Sequence, residues 1–194
     1  KLPPRPPSLC PGCPHRSVFQ ILNKHKLTVT GDIGCYTLGV LPPFSAMDTC
    51  VEMGASVGMA QGMEAAAGKD YKNNVVAVIG DSTFAHSGIS GFINAAYNGR
   101  HSLIIVLDNG ITAMTGMQHN PFSGKTILNQ QTMSVDYVKL SEAIGLPSEQ
   151  VRVVNAYKPE DIENVLLELL SMKKLCLMVV KGLCVIAKGK GKYD

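Results

Sequence analysis

The chain has no tryptophan, and only five phenylalanines and six tyrosines among its 194 residues, which leaves little for stacking on nucleic-acid bases. Charge is scarce as well. Only 17% of residues are charged and the formal net charge is +3, spread over scattered lysines, too weak a field to argue for a nucleic-acid partner. No apolar run approaches the roughly 20 residues needed to cross a bilayer, and the opening KLPPRPPS puts no apolar segment behind its positive charge as a secretory signal would. These absences point away from nucleic acid and membrane and toward a soluble protein of the cytoplasm. What the chain does have is hydrophobic content, 45%, enough for one globular domain to bury a substantial core. It also has 19 glycines and six cysteines. So many cysteines are unusual for an intracellular protein unless the thiols bind metal or do chemistry.

Apolar runs with strand character alternate with helical patterns, which predicts an α/β fold, a mostly parallel sheet flanked by helices. Strands are expected over residues 27–30, 75–79, 103–107, 151–155 and 175–181, and helices over 17–25, 51–67, 87–98, 134–144 and 159–172. The second helix is unusual for its small residues, Gly54, Ser56, Gly58, Ala60, Gly62 and Ala65 among them, so another backbone or a ligand could come close despite the helix-propensity penalty of glycine. Ser134 is the expected N-cap of the fourth helix and Gly145 its stop. Residues 111–132, rich in Thr, Gly, Asn, Gln and Met, form a connection long enough to be a functional loop. One domain over 1–187 and a Lys/Gly-rich tail or cut linker over 188–194 complete the expected layout.

The run VVAVI ends in Gly80-Asp81-Ser82 and LIIVL ends in Asp108-Asn109-Gly110, with 25 residues between Ser82 and Asp108. Open α/β sheets take ligands at the carboxyl ends of their strands. One strand here delivers a carboxylate and its neighbour, after a helical crossover, an amide oxygen. Two hard oxygen ligands so placed suit Mg²⁺ or Ca²⁺ holding a diphosphate. Gly80 and Ser82 would let phosphate oxygens reach the start of the next helix, whose free amides and dipole favour anions. As structure alone, Asp81 caps that helix and Asn109 sits in a turn; the spacing leaves both readings open. A second constellation is Cys10-Pro11-Gly12-Cys13, with Cys35 22 positions later and Cys184 near the end. A Cys-x₂-Cys turn grips one metal or cluster, zinc or iron, and distant cysteines complete the shell; the same thiols could instead only shape a pocket. Cys50 and Cys176 fall outside this set and read as small buried hydrophobes.

The stretch GDSTFAHSG through LDNGITAMTG resembles the thiamine diphosphate motif, whose common form opens Gly-Asp-Gly and closes Asn-Asn. With CPGCPHR at 10–16 and GDIGC at 31–35, the chain from about Leu9 to Val185 resembles the diphosphate-binding domain of the 2-oxoacid:ferredoxin oxidoreductases, most closely the large, thiamine-binding subunit of the indolepyruvate type. The resemblance implies thiamine diphosphate and Mg²⁺ as cofactors, with Asp81 and Asn109 binding the metal by side chain and Ile111 by its main-chain carbonyl. It also implies that Gly80, Ser82, Thr83, Thr112, Met114 and Thr115 line the diphosphate, and that Gly34 and Cys35 approach the cofactor from an earlier strand end. Ser82 stands where the common motif has Gly and Asp108 where it has Asn; neither change removes a metal ligand. In the related enzymes a [4Fe-4S] cluster is held by a Cys-x₂-Cys pair, a cysteine after a strand and a cysteine after the final strand. Cys10, Cys13, Cys35 and Cys184 occupy matching places. His15 is implied to sit beside the cofactor and is the one candidate catalytic side chain, the alternative being that the His15-Arg16 pair simply opens a helix. His86 could touch phosphate or substrate or merely face solvent, His119 falls in the long loop, and His25 and His101 read as surface residues.

The function implied is that of an enzyme component: oxidative decarboxylation of a 2-oxoacid, an aryl one such as indolepyruvate, to the acyl-CoA, with electrons passing through iron-sulfur clusters to ferredoxin. Thiamine chemistry needs the cofactor's aminopyrimidine to be activated by a glutamate, which the resemblance places on a separate pyrimidine-binding domain. Glu52 and Glu64 match no such position, and the chain has no room for that domain. The expected partners are therefore a pyrimidine-binding domain and a ferredoxin-like domain or subunit, with 2-oxoacid, CoA and ferredoxin in the full complex. The chain itself reads as an excised piece or a separately encoded subunit, inactive alone. Two other functions fit the same residues: a non-redox thiamine diphosphate decarboxylase or synthase component, which would hold no iron, and a binding module that keeps the fold and a phosphate or metal site without turnover.

Overall fold

Residues Val75–Gly80 and Leu103–Asp108 are buried at every position, as continuous apolar runs are when helices cover both faces of a sheet. A computed structural model describes residues 2–4, 6–68 and 73–190. In chain order, α1 (His15–Lys24) precedes β1 (Thr28–Gly31), and a 3₁₀ helix over Cys35–Val40 leads to the short strand β2 (Thr49–Cys50) and to α2 (Ala55–Ala67). Next come β3 (Val75–Gly80) and α3 (Asp81–Thr83), which runs through a π-helical turn (Phe84–Gly88) into α4 (Ile89–Tyr97). The chain continues with β4 (Leu103–Asp108), α5 (Tyr137–Ala143), β5 (Val151–Asn155), α6 (Pro159–Ser171), β6 (Cys176–Lys181) and α7 (Val185–Gly189).

The strands form one parallel sheet in the order β2-β1-β3-β4-β6-β5. Alternate side chains of each strand enter opposite cores. Val76, Val78, Leu103, Ile105 and Met178 join Phe19 and Leu22 of α1 and Leu166 of α6 on one face. Ala77, Ile79, Ile104 and Val106 join Val57 of α2, Phe92 of α4 and Tyr137 of α5 on the other. Phe84 is fully buried on that second face and meets the rings of Phe92, Phe122 and Tyr137. Its burial contributes about 1.5–3 kcal/mol and ties the turn after β3 to the long loop. Among the described residues no helix is long and apolar enough to cross a membrane.

Several element boundaries differ from those the pattern predicts, each for a local reason. The helix expected from residue 87 starts at Asp81, whose Oδ1 accepts the Ser82 amide at 2.8 Å; the polar run His86-Ser87-Gly88 that hides its beginning is the π turn. The helix expected from 51 starts at Ala55. Gly54 turns there with φ 94°, and a Cβ on it would strike the side chain of Ser87. The buried Asp32 carboxylate then receives the Ser56 amide at 2.6 Å and its hydroxyl at 2.8 Å. Asp136, not Ser134, caps α5 by accepting the amides of Val138 and Lys139, while Ser134 Oγ donates to the Phe122 carbonyl at 2.9 Å. Gly145 does end that helix region, at φ 89°. The long loop is not structureless, since bridges pair Thr112 with Gln118 and Lys125 with Gln131. Cys176 is buried as expected, but Cys50 at the end of β2 is exposed, because β2 is an edge strand. Lys188 and Gly189 belong to α7, and residues 191–194 of the expected tail lie outside the described residues.

Candidate cofactor site

Because the chain leaves β1 toward β2 on one side and leaves β3 toward β4 on the other, the two connections diverge and a crevice opens beyond the carboxyl ends of β1 and β3. The register carries β4 alongside, with Gly80 opposite Leu107, so the turns after all three strands face the same space. Gly34 and Cys35 line the cleft from β1, and Gly80, Asp81, Ser82 and Thr83 from β3. Asn109, Ile111, Thr112, Met114 and Thr115 line it from β4, and His15 from α1. Every position expected to meet the cofactor is therefore brought to one cleft. Its volume, about 90 Å³, is below the roughly 300–1,000 Å³ of pockets that enclose a small molecule by themselves. A cofactor seated here would need covering from elsewhere.

Asp81 is 3% exposed. Besides the Ser82 amide it receives Asn120 Nδ2 on Oδ2 at 3.0 Å. Burial first, and the neighbouring Asp108 carboxylate second, hold its carboxyl well above the usual range. Asp108 is itself buried; its Oδ1 accepts the Gly110 amide at 2.9 Å, and Lys181 Nζ lies 3.5 Å from its Oδ2. A desolvated carboxylate lining the cleft, with a second buried carboxylate acting on it from behind, is what a cation relieves. That is the observation on which Mg²⁺ fits these residues, with one carboxylate, one amide and one carbonyl as its protein ligands.

Asn109 completes the pair from β4. Its Oδ1 accepts the Ile111 amide at 3.1 Å, fixing the turn that presents the Ile111 carbonyl. Its Nδ2 donates to Nε2 of His15 at 3.3 Å. His15 is 3% exposed, and burial lowers its pKa to about 4. It is a neutral imidazole, with Nε2 in the accepting role and the proton on Nδ1. His15 is thus placed to orient Asn109 at the cleft. His86 lies on the surface, hydrogen-bonded to Ser87 Oγ at 2.6 Å, and His119 bonds Asn129 within the loop at 2.9 Å. Neither lines the cleft. His25 pairs with Glu163, both partly exposed, and the exposed ring of His101 meets the buried Glu64.

Cys10, Cys13, Cys35 and Cys184 line a second cavity, of about 170 Å³, which adjoins the cleft through the shared walls of His15, Cys35 and Asn109. The Cys184 amide donates to the Asn109 carbonyl at 3.1 Å, so the strand end bearing Asn109 also sets the last cysteine. Burial first, and the other three thiols after it, push Cys13 up to about 11, against a backbone hydrogen bond at His15 that pulls the other way. Among the described residues no group of three or more His, Cys, Asp or Glu side chains is gathered closely enough to hold a metal ion; the four thiols face one cavity without closing on a point.

Two residues carry no motif signal, one lining the cleft and the other reaching a cleft residue from outside it. Tyr36 follows Cys35 in the 3₁₀ helix and is 4% exposed. Asn120 belongs to the loop and reaches Asp81 across 39 positions. An aromatic next to Cys35 was the available clue for Tyr36; nothing local distinguishes Asn120 from an ordinary turn residue.

Residues 32–180 match the family described as thiamine pyrophosphate enzyme, C-terminal TPP binding domain. The chain is 40% identical over 200 residues to the indolepyruvate oxidoreductase subunit IorA of Thermococcus kodakarensis, covering 96% of this chain and 30% of that protein. It is 37% identical over 191 residues to the same-named subunit of Archaeoglobus fulgidus, again covering 96% and 30%. The chain thus spans about 30% of the length of these relatives. In fold it is similar to a 2-oxoglutarate:ferredoxin oxidoreductase from Magnetococcus marinus, with a TM-score of 0.76, 18% identity, and coverage of 93% of this chain and 65% of that one. It is also similar to the benzoylformate decarboxylase of Polynucleobacter necessarius, with a TM-score of 0.59, 17% identity, and coverage of 86% and 32%. With the match extending from Asp32, just past β1, to Val180 in β6, the chain belongs to the family of C-terminal TPP-binding domains of thiamine pyrophosphate enzymes.

Proposed function

We propose that the chain is the thiamine diphosphate- and Mg²⁺-binding part of a 2-oxoacid:ferredoxin oxidoreductase that acts on indolepyruvate or a related aryl pyruvate, yielding the acyl-CoA, CO₂ and reduced ferredoxin. The observation that carries this reading is the convergence of the turns after β1, β3 and β4 on one cleft that adjoins a cavity lined by four cysteines. The names of the relatives support the substrate.

When bound, thiamine diphosphate supplies the carbon nucleophile that attacks a 2-oxo carbonyl and holds the electrons left by loss of CO₂. The chain's own residues bind and orient. Asp81, Asn109 and the Ile111 carbonyl would hold Mg²⁺. The first amides of the helical run from Asp81, with Ser82, Thr83, Thr112 and Thr115, would receive the diphosphate. Gly34, Cys35 and Met114 would flank it. Neutral His15 holds Asn109 in place through Nε2. Cys10, Cys13, Cys35 and Cys184 would hold a [4Fe-4S] cluster next to the cofactor, on the path by which electrons leave.

The small volume of the cleft, and a chain that spans about 30% of its relatives, support a pyrimidine-binding domain and a ferredoxin-like domain or subunit as partners. On α2, Gly58 and Gly62 have open space where a Cβ would stand, which supports close docking of such a domain. The test is cofactor and metal analysis of protein purified without oxygen. Thiamine diphosphate, Mg²⁺ and about four irons per chain are expected. Cofactor without iron would point to a non-redox decarboxylase or synthase component, and neither would leave a binding module.

A further inference from the structure

Tyr36 holds a polar atom that the fold leaves unsatisfied. It is 4% exposed, yet its hydroxyl has no hydrogen-bond partner. The ring occupies the space over two of the cleft's glycines: a Cβ on Gly34 or on Gly80 would run into it. It therefore sits at the divergence of β1 and β3, against the turn that opens the helical run at Asp81. Thr83 and the Gly80 backbone are the polar groups that bear on the hydroxyl, and neither makes a hydrogen bond with it. Phenylalanine would fill the same volume at no cost in buried polarity, whereas an unpaired buried hydroxyl is destabilising. Burial also holds the phenol well above the ordinary tyrosine range, so the group keeps its proton and can serve a ligand as donor.

We propose that the Tyr36 hydroxyl is a binding donor whose partner is a diphosphate oxygen of the cofactor. The proposal rests on the reading of the cleft as a thiamine diphosphate site and adds to it a residue from outside the Gly80-to-Asn109 constellation. The cleft offers room for an acceptor, since Tyr36 lines it together with Gly34, Gly80 and Thr83. The anion expected at the Gly80-Asp81-Ser82 turn is the acceptor nearest to hand. The ring and the hydroxyl then have separate tasks: the ring requires glycine at 34 and 80, and the hydroxyl contributes a donor to the anion's shell.

Tyr36→Phe separates them. Without ligand, the variant should unfold at the same temperature as the wild type or a higher one, because a buried hydroxyl without a partner has been removed. By calorimetry with Mg²⁺ present, its affinity for thiamine diphosphate and for inorganic pyrophosphate should fall by about 10-fold or more, the loss of one hydrogen bond to a charged acceptor. Its affinity for unphosphorylated thiamine should match the wild type's. A lower unfolding temperature for the ligand-free variant would show that the hydroxyl is satisfied within the fold, and would overturn the proposal. Equal pyrophosphate and thiamine diphosphate affinities in the two proteins would also overturn it while leaving the site itself standing. Failure of the wild type to take up either phosphate compound would instead bring down the reading of the cleft, and this assignment with it.

Discussion

Asn120 Nδ2 donates a 3.0 Å hydrogen bond to Asp81 Oδ2, joining the long loop after β4 to the carboxylate at the end of β3. Both side chains are buried, and Asn120 is braced in turn, its Oδ1 accepting the Phe122 amide at 3.0 Å. Phe122 stacks on Tyr137 with ring centroids 4.0 Å apart, so the direction of the Asp81 carboxylate is set by a chain of contacts that begins in a packed aromatic pair. The loop is therefore part of the cofactor site although only its first residues line the cleft.

Asn120→Ala should leave the Asp81 carboxylate free to turn. Residues that orient a metal ligand are worth about 10- to 100-fold in metal affinity, and a loss in that range is expected when Mg²⁺ is titrated in the presence of thiamine diphosphate. Asn120→Asp should be worse, because it adds a third acid beside Asp81 and Asp108. Unchanged Mg²⁺ affinity in the alanine variant would mean that the Ser82 amide alone orients Asp81.

Asp81→Asn should trade binding for stability. The carboxyl of Asp81 is raised above its ordinary value by burial and by Asp108, so above that raised value the ionised group destabilises the ligand-free fold, a contribution that disappears as pH falls and the folded state takes up the proton. The amide variant should then unfold at a higher temperature than the wild type at pH 8. Mg²⁺ with thiamine diphosphate at 100 times the dissociation constant should stabilise the wild type by about 2.7 kcal/mol and the variant not at all. A variant that still gains stability from the pair would remove Asp81 from the metal site.

His15 sets a pH dependence of the opposite sign. Its folded pKa, about 4, lies below the 6.5 of the free imidazole. Between these values the unfolded chain binds the extra proton, so stability falls as pH drops through that window and is fully present above it. At pH 5 the loss amounts to about 2 kcal/mol, and the whole window is worth about 3 kcal/mol. Urea unfolding of wild type and His15→Asn at pH 7.5 and pH 5 checks this, since Asp81 contributes alike to both. The wild type should lose about 2 kcal/mol more than the variant; equal losses would mean that folded His15 is protonated as readily as a free imidazole.

How far the molecule was legible in its sequence follows from the range of each interaction. Apolar runs marked β3, β4 and β6, because strands buried on both faces leave an unbroken hydrophobic signature; β1 and β5 were marked by shorter, mixed stretches, and β5 lies at the sheet edge with only its first residue fully buried. The strand β2 has two residues and is defined by pairing with β1, so no run announces it. Asp81 and Asn109 stood out as polar residues at strand ends, and the structure brings them to the same cleft. The start of the helical run at Asp81 was masked by His86, Ser87 and Gly88, which break the apolar helical spacing and form part of a π turn. Asn120 and Tyr36 act through space. One is defined by a hydrogen bond across 39 residues, the other by two glycines that belong to different strand ends, and neither relation has a local pattern.

The cysteines divide by environment, and iron content should divide with them. Cys10, Cys13, Cys35 and Cys184 share one cavity, Cys50 is exposed on the edge strand, and Cys176 is buried in β6. Cys13, pushed up to about 11, stays a thiol at neutral pH. A cluster binds thiolates, so loading must displace that proton, and reconstitution with iron and sulfide should improve as pH rises from 7 to 9. Cys13→Ala and Cys184→Ala should each abolish bound iron and the visible absorbance of anaerobically reconstituted protein, whereas Cys50→Ala and Cys176→Ala should retain both. Cys50 should react first with a thiol reagent in the folded protein, and Cys176 only on unfolding. Cys184 is the sharpest of these positions, because its amide is bonded to the Asn109 carbonyl and its replacement tests the cavity without altering the Cys-x₂-Cys turn. Iron that survives Cys184→Ala undiminished would mean that any cluster is held somewhere other than this cavity.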